Sequence, residues 1–357
     1  MNQKLFYSCS LFDDKDFVIA ENFTVAQNEL FLSTDPNVHG ASTKFKFAKM
    51  KVEYKCKWTK QDNWSSKKPT LLIPIRNNKK LIDYTIANLK ETNLVKHCNV
   101  IIIDDRSTEN IQSSALENNL SYLRVDNSKG FNFSMLNNIA AKICYDLGNE
   151  TIILWNSDLW CVKEEWFLSL LKKHKKSGSW VSGSKLVYPP KERSLNKDDI
   201  TENIKDNFPK QTLSGKWRNT IQYGGSSWMF VELPDHSIRS TPVHHRRFAD
   251  LNDPLASCDK RSSILTGALH IWNLEKYIYL GGFNPTLSKN FQDIDLCLKA
   301  TVEKHPPWYF GKDIYFYHDE SYNFYNNKDE KKYDRQMKSD HIIFDKIWNE
   351  KIPSLVF

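Results

Sequence analysis

The spacing of apolar residues along this chain changes near residue 69. Before that point short alternating runs predict strands, at Phe17-Val-Ile-Ala20 and at Lys44-Phe-Lys-Phe-Ala-Lys-Met-Lys-Val-Glu-Tyr54. The second run has the period of two expected of a half-exposed antiparallel strand. Residues 1–66 therefore read as a β-rich extension, and Gln61 to Pro69 as a linker into residues 67–357, the main domain. After Pro69, short unbroken apolar runs alternate with helically spaced ones. Thr70–Ile75 and Val100–Ile103 predict buried strands, with a helix over Lys80–Leu89 between them. Two buried strands joined by a helical crossover predict a right-handed βαβ unit and a parallel sheet. Tyr122–Val125 adds a third strand, and a helix follows from about Met135 to Leu147. Ser134 is read as the N-cap of that helix; with Lys129 in the preceding loop, the same place could equally hold an anion.

Thr151–Leu154 predicts a fourth buried strand, running out into Asn156-Ser157-Asp158. An acid carried to a sheet edge in this way either holds a divalent cation or sits in a solvated turn, and the stretch alone leaves both open. Glu164–Leu171 predicts another helix. Residues 188–262 read as a long polar loop with His236, His244 and His245, in which no spacing with Cys or acids makes a metal site. A loop of this length in a compact domain is more often functional than idle. Ile264–Trp272 then predicts a strand, followed by a short helix leading to Gly281-Gly282-Phe283, and Gln292 onward a helix whose first turn carries Asp293 and Asp295. Capping explains Asp295 but not Asp293. Ile314–His318 predicts an aromatic strand, and Asp334–Trp348 a closing helix. The fold class is α/β, a Rossmann-like and mostly parallel central sheet with helices on both faces.

Composition narrows the functional classes. With 40% hydrophobic and 26% charged residues in 357, the chain is neither disordered nor membrane-spanning. The first residues lack the pattern of a signal peptide, which points to a cytoplasmic protein compatible with contact at the inner membrane face. The charge of +7 is spread over Lys-rich segments, unlike a dedicated nucleic-acid protein. Seven cysteines without a Cys-x-x-Cys pair read as reduced packing thiols. No Gly-x-Gly-x-x-Gly or Gly-x-x-x-x-Gly-Lys follows the first strand, which excludes a dinucleotide-binding loop and a P-loop. The 13% aromatic content, with 11 Trp, suits sugar-stacking platforms or an ordinary core.

The motifs Asp104-Asp-Arg-Ser-Thr108, Asn132-Phe-Ser-Met-Leu-Asn-Asn138, Asn156-Ser-Asp158, Thr266-Gly-Ala268, Gly281-Gly-Phe283, Gln292-Asp-Ile-Asp-Leu-Cys297 and His318-Asp-Glu-Ser321 occur in that order. Taken together they resemble the family 2 glycosyltransferases of GT-A fold, in particular the bacterial group that builds O-antigen, capsule and related surface glycans. The resemblance covers roughly Pro69 to Trp348. It implies a nucleotide-diphosphate-sugar donor, a Mn²⁺ or Mg²⁺ ion, and inverting transfer to a hydroxyl of a glycan or lipid-linked acceptor. It places Asp104, Asp105 and Arg76 near the nucleoside, with Pro74 and Lys129 also on the donor side. Asn132, Asn138, Asn156, Ser157 and Gly267 complete the implied donor contacts. Asn156-Ser-Asp158 matches the family's Asp-x-Asp motif with its first acid replaced by Asn, so Asp158 and the late histidine His318 would carry the metal. Asp293 is the implied general base and Asp295 its alternate, since Gln292 stands where relatives often have Glu. Residues 188–262 would then face the acceptor, and residues 1–66 could serve a homo-oligomer. Two other readings compete: a non-catalytic sugar- or nucleotide-binding scaffold, which Asn156 favours, and a sugar nucleotidyltransferase, which the loop Arg76-Asn-Asn-Lys-Lys80 disfavours because it lacks glycines.

Overall fold

The computed structural model describes residues 10–12, 20–34, 45–127, 130–195, 218–232, 236, 238–319 and 330–356. The strand expected over Phe17–Ala20 lies outside these residues apart from Ala20, which is not in a strand. In chain order the strands are β1 (Asn22–Thr34), β2 (Phe45–Thr59), β3 (Thr70–Ile75), β4 (Asn99–Asp104), β5 (Ser121–Asn127), β6 (Thr151–Trp155), β7 (Leu159–Trp160), β8 (Val181–Val187), β9 (Ile221–Tyr223), β10 (Ser226–Glu232), β11 (Ile238–His244), β12 (Asp259–Arg261), β13 (Leu269–Asn273) and β14 (Trp308–His318). The helices are α1 (Lys79–Glu91), α2 (Leu94–His97), α3 (Ile111–Leu116), α4 (Phe133–Asp146), α5 (Glu164–Ser177), α6 (Leu274–Tyr279), α7 (Gln292–Val302), α8 (Glu330–Trp348) and α9 (Ile352–Val356).

The expected α/β architecture is present. One sheet of 12 strands runs β1-β2-β5-β4-β3-β6-β13-β8-β14-β12, with β7 paired to β14 and β9 to β8. Its centre, β3 to β6, is parallel, as is the β8–β14 pair. The apolar runs of β3, β4 and β6 are buried on both faces, which is why they read as continuous rather than alternating. Pro74 sits in β3 beyond Leu72, the last residue that pairs with β6. The N–H that proline lacks is therefore not missed on that side of the strand. Parallel strands deliver their carboxyl ends to one edge, and Arg76, Asp105, Asn156 and His318 all lie at or just past such an end. That edge is where open α/β sheets bind ligands.

The hairpin of β1 and β2 is continuous with the sheet. β2 pairs with β5 from Tyr54↔Asn127 to Thr59↔Tyr122. Val52, Tyr54, Cys56 and Trp58 turn inward while Lys51, Glu53 and Lys55 face solvent, which realises the period of two.

Residues 188–262 are not a simple loop. Their described part carries β9, β12 and a separate two-stranded sheet of β10 and β11. The expected strand 264–272 shortens to β13, because residues 264–266 are irregular and residues 267–268 form a turn that carries Gly267. Six cysteines are free thiols, five of them buried, and Cys9 lies outside the described residues. No helix among the described residues is long and apolar enough to cross a membrane.

Candidate functional site

Two loops open the site. Asn77 and Asn78 follow β3 with left-handed backbone (φ 56° and 61°), a conformation asparagine tolerates better than most residues. The Asn77 N–H donates to Ser107 Oγ at 2.7 Å, and Thr108 N–H donates to Asn77 Oδ1 at 2.8 Å. Glu109 accepts the N–H groups of Asn78 and Lys79 at 2.9 and 2.6 Å. These bonds lace the loops after β3 and β4 into one rim.

The two adjacent acids in that rim have different environments. Asp104 is held by structure: it accepts from Ser107 N–H at 2.8 Å, Tyr122 Oη at 2.5 Å and Arg124 Nη1 at 3.2 Å. This holds the β4 turn. Asp105 is equally buried, yet neither carboxylate oxygen has a hydrogen-bond partner among the described residues. Arg106 Nε at 3.5 Å and Arg76 Nη1 at 3.8 Å attend it only as charges. Desolvation dominates over the two cations and pushes its pKa up to about 6. A buried acid with orphaned oxygens is costly unless a ligand supplies donors. An acid whose folded pKa is raised contributes most at low pH and loses that contribution as pH rises through about 6. Asp105→Asn is therefore expected to stabilise the ligand-free protein at pH 7 by roughly 1–3 kcal/mol. The gain should vanish at about pH 3, below both the ordinary value of 3.8 and the raised one, and a pair of melting curves at the two pH values checks it.

The amide side chains of the second motif serve packing. Asn132 caps α4 by accepting from Met135 N–H at 3.0 Å, and its amide donates to Pro285 O at 3.0 Å. Ser134 is inside the helix and donates to Leu287 O at 2.5 Å, so the expected serine cap is replaced by Asn132. Asn138, fully buried, donates to Phe283 O at 2.8 Å and accepts Phe283 N–H at 3.0 Å and Tyr277 Oη at 2.7 Å. It clamps the Gly281-Gly282-Phe283 turn. Lys129 lies outside the described residues.

The centre of the site is formed by residues distant in sequence. β7 pairs with the end of β14 through His318↔Leu159, so His318 and Asp158 meet with Nε2 and Oδ1 3.3 Å apart. Asp319 N–H donates to Asp158 O at 2.9 Å and fixes the approach. Both side chains are largely buried. Helix α1 supports this segment from beneath: Thr85 Oγ1 donates to Ser157 O at 2.6 Å, and Asn88 exchanges hydrogen bonds with Cys161. Neither supporting residue was singled out in the sequence. The available signal was two polar positions inside the apolar stripe Leu81, Ile82, Ile86, Leu89. A carboxylate and an imidazole nitrogen converging this closely could both ligate a divalent cation. Among the described residues no cluster of three or more His, Cys, Asp or Glu forms a protein cage.

Asn156 N–H donates to Ala268 O at 3.0 Å, which joins this centre to the turn that holds Asp293. Gly267 N–H donates to Asp293 Oδ2 at 2.6 Å and Ile294 N–H to Oδ1 at 2.9 Å. Burial pushes the Asp293 pKa up, and the backbone N–H groups only partly offset it. A Cβ at Gly267 would lie 3.0 Å from Asp293 Cβ and 3.1 Å from Oδ2. Gly267→Ala must therefore displace the carboxylate, and turnover is expected to fall by about 10–100-fold with the melting temperature little changed, read by paired kinetics and thermal melts.

Asp295 points away from the site. It is fully buried, paired with Lys299 Nζ at 2.9 Å and accepting from Trp348 Nε1 at 2.8 Å. It does not cap α7, and Lys299 and Trp348 hold it in the core. The three histidines of residues 188–262 are not gathered: His236, in the β10–β11 connection, bonds Glu232, and His244 ends β11, roughly 20 Å along the strand. Trp228 is buried with Nε1 donating to Ser263 Oγ at 3.0 Å, and Trp217 lies outside the described residues.

Comparison with known proteins bears on this arrangement. Residues 70–236 match the model of glycosyl transferase family 2. No curated protein matches the sequence. Among solved structures, a mannosyltransferase from Pyrobaculum calidifontis in complex with GDP-Man and Mn²⁺ is similar at 11% identity and a TM-score of 0.43, over 74% of this chain and 61% of that one. GalNAc-T7 with UDP, GalNAc and Mn²⁺ is similar at 13% identity and a TM-score of 0.46, over 72% and 44%. TarS 1-349 of S. aureus in complex with UDP-GlcNAc is similar at 15% identity and a TM-score of 0.42, over 70% and 58%. The chain thus spans between 44% and 61% of the length of these three structures.

Proposed function

We propose that the protein is a metal-dependent, inverting glycosyltransferase that takes a sugar from a nucleotide-diphosphate donor to an acceptor hydroxyl. The observation that carries the reading is the meeting of Asp158 and His318 at the carboxyl edge of a sheet, within a chain whose residues 70–236 match the glycosyl transferase family 2 model. Asp105, with its unpartnered oxygens, would accept N–H groups of the base, and Arg76 beside it would offset the charge. Asp158 and His318 would hold Mn²⁺ or Mg²⁺. When bound, the cation neutralises charge that develops on the leaving diphosphate.

The chain's own residues account for the rest. As the acceptor oxygen attacks the anomeric carbon, the bond to the diphosphate breaks and its electron pair leaves with the diphosphate oxygen. The acceptor proton passes to Asp293. Each Asp293 oxygen accepts a backbone N–H yet keeps a second lone pair, and a raised pKa makes a carboxylate a better base near neutrality. The hydrogen bond between Asn156 and Ala268 keeps the metal-binding and base-bearing segments in fixed relation.

The test is a thermal-shift series with UDP, GDP, CDP and dTDP, each with Mn²⁺ and with EDTA. The reading expects one nucleotide to raise the melting temperature in Mn²⁺ only, since ligand at 100 times its Kd adds about 2.7 kcal/mol. A protein that none of the four stabilises is not a nucleotide-sugar enzyme of this kind.

A further inference from the structure

Helix α8 presents Asp340, Phe344 and Trp348 on one stripe, four residues apart, and each touches the start of α7 at a different point. Asp340, 1% exposed, accepts the N–H groups of Lys289 at 2.7 Å and Asn290 at 2.9 Å. Phe344 stacks on Phe291, ring centroids 4.6 Å apart. Trp348 Nε1 donates to Asp295 Oδ1 at 2.8 Å. Between these contacts lie Phe291, whose backbone is left-handed at φ 62°, and Asp293. An aromatic residue in that region is strained and persists only where its surroundings over-determine it. Ser288 and Gln336 add a further hydrogen bond between the two segments.

We propose that this stripe is a positioning device for the catalytic base, with Asp340 as its principal positioning residue. The inference rests on the reading of Asp293 as base. Asp340 touches no reacting atom. It holds residues 289 and 290, so that the first turn of α7 starts in one place and Asp293 meets the Gly267 N–H. Phe344 keeps Phe291 in its strained conformation, and Trp348 with Lys299 pairs Asp295, which would otherwise be an unpaired acid buried in the first turn of α7. Nothing in ordinary core packing requires a buried carboxylate at 340; two backbone N–H groups that must be held at fixed positions do require an acceptor there.

The experiment compares wild type with Asp340→Ala and, as a milder variant, Phe344→Leu. Amide hydrogen exchange is followed in peptides covering residues 288–296 and 151–160. Binding of UDP and GDP with Mn²⁺ is measured by calorimetry, and nucleotide release from UDP-GlcNAc and GDP-Man gives turnover. The proposal expects faster exchange confined to residues 288–296, unchanged nucleotide affinity, and kcat lower by about 10–100-fold with donor KM nearly constant. Unchanged exchange over 288–296 in both variants overturns the clamp, and local loosening with full kcat overturns its positioning role. If Asp340→Ala melts as a whole, the same readings on Phe344→Leu decide. A wild type that binds nucleotide but never releases it from a donor refutes the base assignment on which the positioning role rests, while the exchange data still report whether the clamp exists.

Discussion

Asp293→Asn is expected to lower turnover by roughly 10²–10⁴-fold while the affinity for nucleoside diphosphate and Mn²⁺ stays within about twofold of wild type. The separation follows from the layout of the site. The proposed nucleotide contacts fall on Asp105, Arg76 and the Asp158–His318 pair, whereas Asp293 sits across the Ala268–Asn156 hydrogen bond and is held by Gly267. An amide cannot take the acceptor's proton, and a change confined to kcat marks a group needed only in the chemical step. Because desolvation raises the Asp293 pKa, turnover in wild type should climb with pH through a value above that of an ordinary aspartate and then level. An Asp293→Asn variant that loses nucleotide binding would make the residue an organiser of the ligand instead.

Asp158→Ala should cost about as much for a different reason. It removes the carboxylate partner of His318 in the pair proposed to hold the cation, and loss of preorganised charge stabilisation at a leaving group is worth on the order of 10²–10³-fold. Here the nucleotide affinity measured in Mn²⁺ should fall as well, towards the value seen in EDTA, since the cation links nucleotide to protein. Kinetics and calorimetry on the same preparation therefore give opposite patterns for the two variants: Asp293→Asn keeps binding, Asp158→Ala loses it.

The core of the fold was legible because its strands are apolar on both faces. β3, β4 and β6 advertise themselves as unbroken runs, and α1, α4 and α7 as helical stripes. β8 did not, although every residue of Val-Ser-Gly-Ser-Lys-Leu-Val is buried. Its polar side chains are satisfied one by one: Ser182 by His174, Ser184 by Phe310 O, Lys185 by Leu251 O and Ser257. Burial bought by such long-range partners leaves no periodicity in the sequence to read. The same limit applied at the site. Motif order brought Asp158 and His318 forward, and their contact depends on β7 pairing with β14, which no local pattern encodes. Asp104 and Asp105 are neighbours of one type, and only their partners separate a turn-holding acid from one whose buried oxygens have no hydrogen-bond partner among the described residues. Asp295 matched the motif as well as Asp293 did, but its direction was set by Lys299 and Trp348.

The most direct test of the central claim is release of nucleoside diphosphate from a panel of nucleotide sugars that includes UDP-GlcNAc and GDP-Man, in Mn²⁺ and in EDTA, by wild type and Asp158→Ala. The account predicts release from at least one donor by wild type in Mn²⁺, and little from that donor in EDTA or by the variant. Release that is equal in EDTA, or unchanged in Asp158→Ala, would contradict it.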